Sequence, residues 1–235
     1  MTKKVLFILR TLFALVYVLL GITFIIPLIF TAIFYNYLFG FRCERTTSCS
    51  RMDMYPDLKK EKMDFYSGKT LLDAACYTSK VADGSKGLLV FCHGIGCGKD
   101  NYINRIDYFT KQGFVVFAYD MTGVCDSGGK GQRGVPQATL DLKCALEFVA
   151  TKSQFDGMPV VVYSHSWCGF AAASVLNYGD FGIKALVTCG GFNTSSDISR
   201  IYIRKFMGSM DKLVMPYVAM VEYLRFGKVA RYKAI

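Results

Sequence analysis

Histidine is nearly absent from this sequence, and its cysteines lack the spacing of a metal site. The 235 residues include two histidines, His93 and His165, and nine cysteines, none of them in a Cys-x-x-Cys pair. Structural zinc sites need four Cys or His ligands at short, regular spacings. We therefore expect no metal and read most cysteines as reduced, buried, small apolar residues. Only Cys43 and Cys49 are considered as a disulfide pair, on condition that their segment faces an oxidising compartment.

Charged residues are missing from Thr11 to Tyr35, a run of 25 positions. A helix of that length crosses a hydrocarbon core of ~30 Å with some tilt, even with Pro27 inside it. A cleaved signal peptide is the alternative, but its apolar region would be shorter, and no A-x-A-like cleavage site clearly follows. We expect an uncleaved, single-pass membrane anchor within residues 1–40. Three basic residues precede the run and three follow it closely, so the side of the membrane stays open.

Basic residues outnumber acidic ones, and the surplus is concentrated at the end of the chain. The formal net charge is +10, and residues 200–235 contain eight basic and two acidic residues. A basic surface attracts nucleic acid or anionic lipid. No RNA-binding signature or aromatic-basic repeat accompanies the charge, so we expect no nucleic-acid partner and favour membrane lipid.

Four apolar runs alternate with segments of helical periodicity in the middle of the chain. The runs are Leu88–Gly94, Phe114–Asp120, Val160–Tyr163 and Ile183–Gly191, and the helical segments include 99–112 and 137–151. Strands that alternate with helices of this length predict an α/β fold with a mostly parallel sheet and helices on both faces. We expect a stalk at 41–64, the core at 65–195 with an early hairpin, and the start of a basic helical cap at 196–235.

One stretch, VVVYSHSWCG at Val160–Gly169, passes from strand to helix with almost no loop. An apolar helical pattern begins at Phe170, so the turning residue, Ser166, is expected to be strained with its side chain projecting outward. This geometry is the nucleophile elbow, usually G-x-S-x-G, in which tight packing selects small residues on both sides of the serine. Here Ser164 and Cys168 replace the two outer glycines, and Gly169 follows.

The hexapeptide SHSWCG resembles the GHSMGG of the α/β-hydrolase superfamily. Two further segments occur in the order and at the spacing of that superfamily: HGIG after the first apolar run and YDMTGVCDSGG after the second. Together they resemble most closely the branch of the monoacylglycerol lipases and serine aminopeptidases, over about residues 86–193. The Arg and His of that branch's second motif are replaced here by Thr122 and Cys125.

The resemblance implies a serine hydrolase that needs no cofactor and acts on a small-molecule acyl substrate. It implies Ser166 as the nucleophile and the backbone N–H groups of Ile95 and Trp167 as the donors to the oxyanion. The supporting residues it implies are His93, Gly94, His165 and Gly169. We read neither histidine as the general base, and Asp120 and Asp126 as structural. An anchor and a basic cap favour a lipid-like ester over a peptide or amide.

Two alternatives to an active hydrolase stay open. GIGCG, with Asp120 ending the next strand, resembles a dinucleotide-binding loop, but its glycines are spaced GxGxG instead of GxGxxG. In the superfamily the acid and the histidine follow the nucleophile, yet no histidine follows Ser166 and only Asp197 is available as an early acid. We therefore expect a hydrolase sheet that is incomplete at its C-terminal side. The chain is either a truncated product or fragment, or a catalytically dead scaffold that binds without catalysis.

Overall fold

A long apolar helix opens the structure, a computed structural model that describes residues 3–45, 52–82 and 85–234. Helix α1 (Lys3–Leu20) continues through a wider π-helical turn at Gly21–Ile25 into helix α2 (Ile26–Phe39). By length and composition, the whole segment Lys3–Phe39 is long and apolar enough to cross a membrane. The proposed Cys43–Cys49 disulfide falls partly outside the described residues.

The core of the protein is a six-stranded, mostly parallel sheet. The strands in chain order are β1 (Leu58–Lys62), β2 (Phe65–Ser67), β3 (Thr70–Leu72), β4 (Ala74–Ser79), β5 (Gly87–Cys92), β6 (Phe114–Tyr119), β7 (Val160–His165) and β8 (Ile183–Cys189). Six of the strands form this sheet, and β2 and β3 lie outside it. The order is β1-β4-β6-β5-β7-β8, and β2 and β3 form a separate hairpin. The last four strands of that order are parallel, with Val90 of β5 opposite Phe117 of β6 and Val162 of β7. β1 and β4 are antiparallel to their neighbours.

Helices cover both faces of this sheet, as a buried parallel sheet requires. The remaining helices are α3 (Ile103–Lys111), α4 (Gln137–Ala150), α5 (Trp167–Val175), α6 (Ser195–Met207) and α7 (Asp211–Phe226). Successive residues of β5 point to opposite faces. Leu89 and Phe91 pack with α3, whereas Leu88 and Val90 belong to the core under α4 and α5. The prediction of an α/β fold with a mostly parallel sheet is confirmed.

The described parts of the segment expected as a stalk, 41–45 and 52–64, belong instead to the folded core. Its β1 strand joins the edge of the main sheet, so the core begins before residue 65. Upstream, Cys43 forms a β-bridge with Val124, and Arg42 Nη1 donates to the carbonyl oxygens of Ser127 (3.0 Å) and Gly129 (2.9 Å). Residues 42 and 43 are therefore packed against the loop that follows β6.

The two halves of the N-terminal helix differ in burial. None of the described side chains of α1 is buried, whereas α2 buries Thr31, Tyr35 and Phe39, one stripe at a spacing of four residues. Pro27 has no N–H to donate to the carbonyl of Thr23, four residues earlier. Tyr217 Oη of α7 donates to that oxygen instead, at 2.6 Å. The second half of the helix is thus docked along α7.

A buried carboxylate on α7 holds this docked half in place. Glu222 is 1% exposed, and its Oε1 accepts hydrogen bonds from Tyr35 Oη (2.6 Å), Ser195 Oγ (2.5 Å) and Ser199 Oγ (3.5 Å). Burial raises the pKa of Glu222 above its ordinary value, although its hydrogen-bond donors act in the opposite direction. One carboxyl group therefore joins α2, α6 and α7.

We expect Glu222→Gln to change how stability depends on pH. Because the folded-state pKa is raised, the carboxyl stabilises the fold fully below its ordinary pKa, and this stabilisation is lost as pH rises through the raised value. Between the two pKa values the loss is about 1.4 kcal/mol per pH unit. Glutamine does not titrate, so the melting temperature of the variant, relative to the unmodified chain, should rise from acidic to neutral pH. Glu147→Gln, on an exposed face of α4, is the matched control. Parallel profiles for all three proteins would contradict the expectation.

Candidate active site

Ser166 is the single residue between β7 and α5. Its φ of 55° and ψ of −114° lie in a region that a non-glycine side chain rarely adopts. The helix begins at Trp167, earlier than the sequence pattern at Phe170 predicted. The expected strained turn between strand and helix is therefore present, with Ser166 as its turning residue.

The small residues around Ser166 each meet a close neighbour. The Oγ of Ser164 donates to the carbonyl of Val187 in β8 at 3.0 Å, so this serine replaces glycine by bonding to the next strand. A Cβ on Gly169 would lie 2.7 Å from the Cα of Gly191, closer than real contacts allow. A Cβ on Gly94 would lie 2.9 Å from His165 Nδ1 and 3.2 Å from the Cβ of Ser166. The loop after β5 therefore approaches the elbow at a glycine.

The expected nucleophile and both expected oxyanion donors line one small cavity. Ser166, Ile95 and Trp167 share it with side chains from α2, α6 and two loops, and its volume is about 30 Å³. The other lining residues are Phe39, Val135, Phe192, Ile198 and Tyr202. Trp167 is 4% exposed, and its Nε1 donates to the Val135 carbonyl at 2.8 Å. The lining is predominantly apolar, which suits an acyl group better than a charged one.

His93 is fully buried and hydrogen-bonded within the loop region. Its Nε2 accepts from the backbone N–H of Met121 at 3.0 Å, which leaves Nδ1–H to donate to the Gly94 carbonyl at 2.8 Å. Burial lowers the pKa of His93, so the imidazole is neutral. Both ring nitrogens are occupied by backbone groups, and the side chain supports the loop after β5.

His165 is hydrogen-bonded to Tyr102, a residue that no sequence motif marks. Gly94 N–H donates to Tyr102 Oη at 3.3 Å, and the same hydroxyl is hydrogen-bonded to His165 Nδ1 at 2.8 Å. Burial, with a smaller contribution from Arg105, lowers the pKa of His165. Within residues 3–45, 52–82 and 85–234, neither histidine is hydrogen-bonded to Ser166 Oγ. Tyr102 lies 63 positions from His165, so no local pattern marks this pair.

The acidic residues near the site form ion pairs or cap a helix. Asp120 pairs with buried Lys99 at 2.8 Å, Asp126 pairs with Arg45 at 2.5 Å, and Asp197 forms a capping box with Thr194 at the start of α6. Across the described chain no group of three or more His, Cys, Asp or Glu side chains is placed to hold a metal ion.

Asp141, which no sequence motif marks either, is fully buried beneath the loop after β6. It accepts from Ser67 Oγ (2.7 Å), Gln137 Nε2 (2.8 Å), and the backbone N–H (2.8 Å) and hydroxyl (2.9 Å) of Thr122. Burial raises its pKa above the ordinary value. Thr122 stands where the related branch has arginine, and here its hydroxyl bonds to this carboxyl. The contact fixes the loop between β6 and α4.

Comparison with known proteins gives one family and several structures of the same fold. Residues 83–234 match the model of a family described as serine aminopeptidase, S33. An esterase of Pyrococcus furiosus aligns with a TM-score of 0.59 and 16% identity over 76% of this chain and 67% of the esterase. A hypothetical protein of Pseudomonas aeruginosa gives 0.54 and 19% over 72% and 52%, and a carboxyl esterase from Bacillus coagulans gives 0.50 and 21% over 64% and 50%. No curated protein sequence matches the chain. At these identities the structures show the α/β-hydrolase fold, and the family match removes the dinucleotide-binding alternative.

We expect His93→Ala to destabilise the fold. Loss of the imidazole leaves the buried N–H of Met121 without a partner, which costs about 1–3 kcal/mol. Each kcal/mol lowers the melting temperature of a chain of this size by about 2–4 °C. His165→Ala is the matched control, because that side chain is partly exposed and its removal leaves no backbone N–H unpaired. Equal melting temperatures for His93→Ala and the unmodified chain would refute the structural role of His93.

Proposed function

This chain belongs to the serine aminopeptidase S33 family of α/β-hydrolases, and from that premise we propose that it is a membrane-anchored serine hydrolase. The bond cleaved is an ester of a lipid-like substrate, in preference to a peptide or amide. One observation carries the proposal: Ser166, in its strained position, lies in a cavity that Ile95 and Trp167 also line. This is the placement that a nucleophile and two oxyanion donors need.

In the proposed reaction, Ser166 Oγ attacks the carbonyl carbon of the ester and its proton passes to a general base. The carbonyl oxygen becomes an oxyanion, which the backbone N–H groups of Ile95 and Trp167 stabilise. Collapse of the tetrahedral intermediate breaks the C–O bond, and the leaving alcohol takes the proton. Water then repeats the attack on the acyl-serine, releasing the acid and restoring the hydroxyl. The described residues supply the nucleophile and the donors of this scheme, but no base.

Membrane attachment is supported by the N-terminal helix and by the composition of α6 and α7. The described side chains of α1 are all exposed, which is unfavourable in water for so apolar a helix. Phe206, Leu213 and Leu224 are more than half exposed in a segment where basic residues predominate. Exposed apolar side chains among basic residues suit the interface of an anionic membrane. We therefore propose that the substrate is taken from that surface.

A non-catalytic scaffold is the second candidate. It is favoured by the hydrogen bonding of His93 and His165, which engages both histidines of the sequence away from Ser166. In this alternative the same apolar cavity binds an acyl group without cleaving it.

Labelling with a fluorophosphonate probe separates the two candidates. In the longest natural form of the protein we expect covalent labelling that is lost in Ser166→Ala, because the probe reacts only with an activated serine. Ser164→Ala, two positions away with its hydroxyl bonded to Val187, should still be labelled. Labelling that persists in Ser166→Ala would exclude Ser166 as the nucleophile. Absence of labelling in the unmodified protein would support the scaffold.

The 235-residue chain by itself should hydrolyse p-nitrophenyl butyrate very slowly. Loss of one member of a catalytic triad lowers kcat by roughly 10⁴-fold or more, and what remains comes from the oxyanion donors and binding. The measurement is kcat for purified protein, with Ser166→Ala as the background. Fast turnover that disappears in His165→Ala would identify His165 as the base, in place of its role as a hydrogen-bond partner of Tyr102.

A further inference from the structure

The N-terminal helix ends inside the folded core, against the candidate site. Tyr35 and Phe39 are each 1% exposed, the burial expected of core residues. Besides its bond to Glu222, Tyr35 Oη accepts from the backbone N–H of Val135 at 3.2 Å. Val135 lines the cavity at Ser166. The helix therefore contacts the loop that forms part of the cavity wall.

Further contacts fix the end of the helix in this position. Arg225 of α7 donates to Asn36 Oδ1 (2.8 Å) and to the Arg133 carbonyl (3.2 Å), which joins α2, α7 and the loop before α4. Just beyond the helix, Gln132 N–H donates to the Phe41 carbonyl at 3.2 Å. These bonds, from both sides of Phe39, hold its backbone at a defined distance from the site.

Phe39 itself forms one wall of the cavity at Ser166. Its ring lies edge-on to Trp167, with centroids 6.0 Å apart at 90°, and edge-on to Tyr202 of α6, with centroids 5.7 Å apart at 81°. Trp167 is the residue whose backbone N–H is proposed to bind the oxyanion. With Phe39 in place the cavity volume is about 30 Å³, room for about one or two water molecules.

We propose that Phe39, at the end of the membrane helix, determines which acyl chains reach Ser166. The ring closes the apolar pocket on the side of the helix, so an acyl chain must pass beside it or displace it. The substrate class is a lipid ester whose acyl chain lies along the N-terminal helix. The ester as the reacting group rests on the proposed function. The role of Phe39 as a pocket wall does not depend on catalysis.

A path of aromatic rings supports entry from the helix side. Phe30 stacks on Phe34 with centroids 6.2 Å apart, and Phe34 meets Phe206 of α6 edge-on at 6.1 Å. Phe30 and Phe206 are 51% and 57% exposed, so the path begins on the surface. It runs along the same helix that carries Phe39. An acyl chain on this path would stay in contact with apolar groups, which avoids the cost of exposing its methylenes to water.

The single tryptophan of the sequence makes the pocket wall directly measurable. Trp167 lies next to Ser166 and touches Phe39, so bromine atoms on a bound acyl chain should quench its fluorescence. The probe is 9,10-dibromostearate added to the full chain in dodecyl maltoside micelles, with unbrominated stearate as competitor. We expect Phe39→Ala to be half-quenched at about tenfold lower probe concentration than the unmodified chain. Burying one or two further methylenes changes affinity by about that factor.

Two other variants control for general effects on folding and partition into the micelle. Tyr37→Ala removes an aromatic ring that is 72% exposed on the same helix and should behave as the unmodified chain. Phe39→Leu keeps a buried aliphatic group, so the fold is retained, and should bind the probe with intermediate strength. A role of Phe39 in folding alone would lower melting temperatures without changing quenching. Equal quenching of Phe39→Leu and Tyr37→Ala would overturn the inference.

The same variants distinguish this inference from the proposed function. If quenching depends on Phe39 but Ser166 is not labelled by fluorophosphonate in the longest natural form of the protein, the pocket wall stands and the hydrolase proposal fails. The opposite outcome is also measurable, with short-chain and long-chain alkyl fluorophosphonates as probes. If both probes label Ser166 equally in Phe39→Leu and in Tyr37→Ala, the hydrolase proposal stands and Phe39 does not select the length of the acyl chain.

Discussion

The one-residue connection between β7 and α5 is the constraint around which the rest of the site is arranged. A non-glycine residue in the conformation of Ser166 costs on the order of 1–3 kcal/mol and persists only where its surroundings impose it. Here Ser166 N–H donates to the Cys189 carbonyl of β8 at 2.7 Å, and Gly169 packs directly against Gly191. The parallel pairing of β7 with β8 therefore imposes the conformation, and it places the hydroxyl at the carboxyl edge of the sheet, where α/β folds bind their ligands.

Two buried carboxyl groups position the elements that the sheet does not hold. Asp141 accepts hydrogen bonds from β2, α4 and the loop after β6, and Glu222 accepts hydrogen bonds from α2 and α6. In the described chain neither carboxyl forms an ion pair, so their contribution should depend little on salt. Burying a carboxyl is costly unless donors compensate it, so removing one donor affects every element that the group joins. The loop near the cavity and the docked half of the helix share this kind of support.

The parts of the fold that were predictable from sequence are those where local pattern and burial agree. β5, β6 and the first part of β7 are continuous apolar runs, and the elbow is marked by small residues between a strand and a helix. β1 was missed because Lys59, Lys60, Glu61 and Lys62 are exposed on an edge strand, and such a strand carries charge instead of an apolar period. Tyr35 and Glu222 are separated by 187 positions, and no spacing rule connects residues so far apart. The contribution of Phe39 to the cavity is not predictable from sequence, because a membrane anchor already accounts for an apolar helix of this length.

The docking of α2 changes what the anchor does for the proposed reaction. A flexible stalk would allow the site to sit at any height above the bilayer, but here Phe39, in contact with Trp167, lies on the helix itself. Because the stripe of Thr31, Tyr35 and Phe39 is buried in the protein, the last turns of the charge-free run lie against α7 and lead directly into the cavity wall. A helix docked in this way holds Ser166 at one distance from α1, whose described side chains are all exposed. A substrate would reach the serine by sliding along the helix without leaving the membrane, and the cost of extracting its acyl chain into water would not arise.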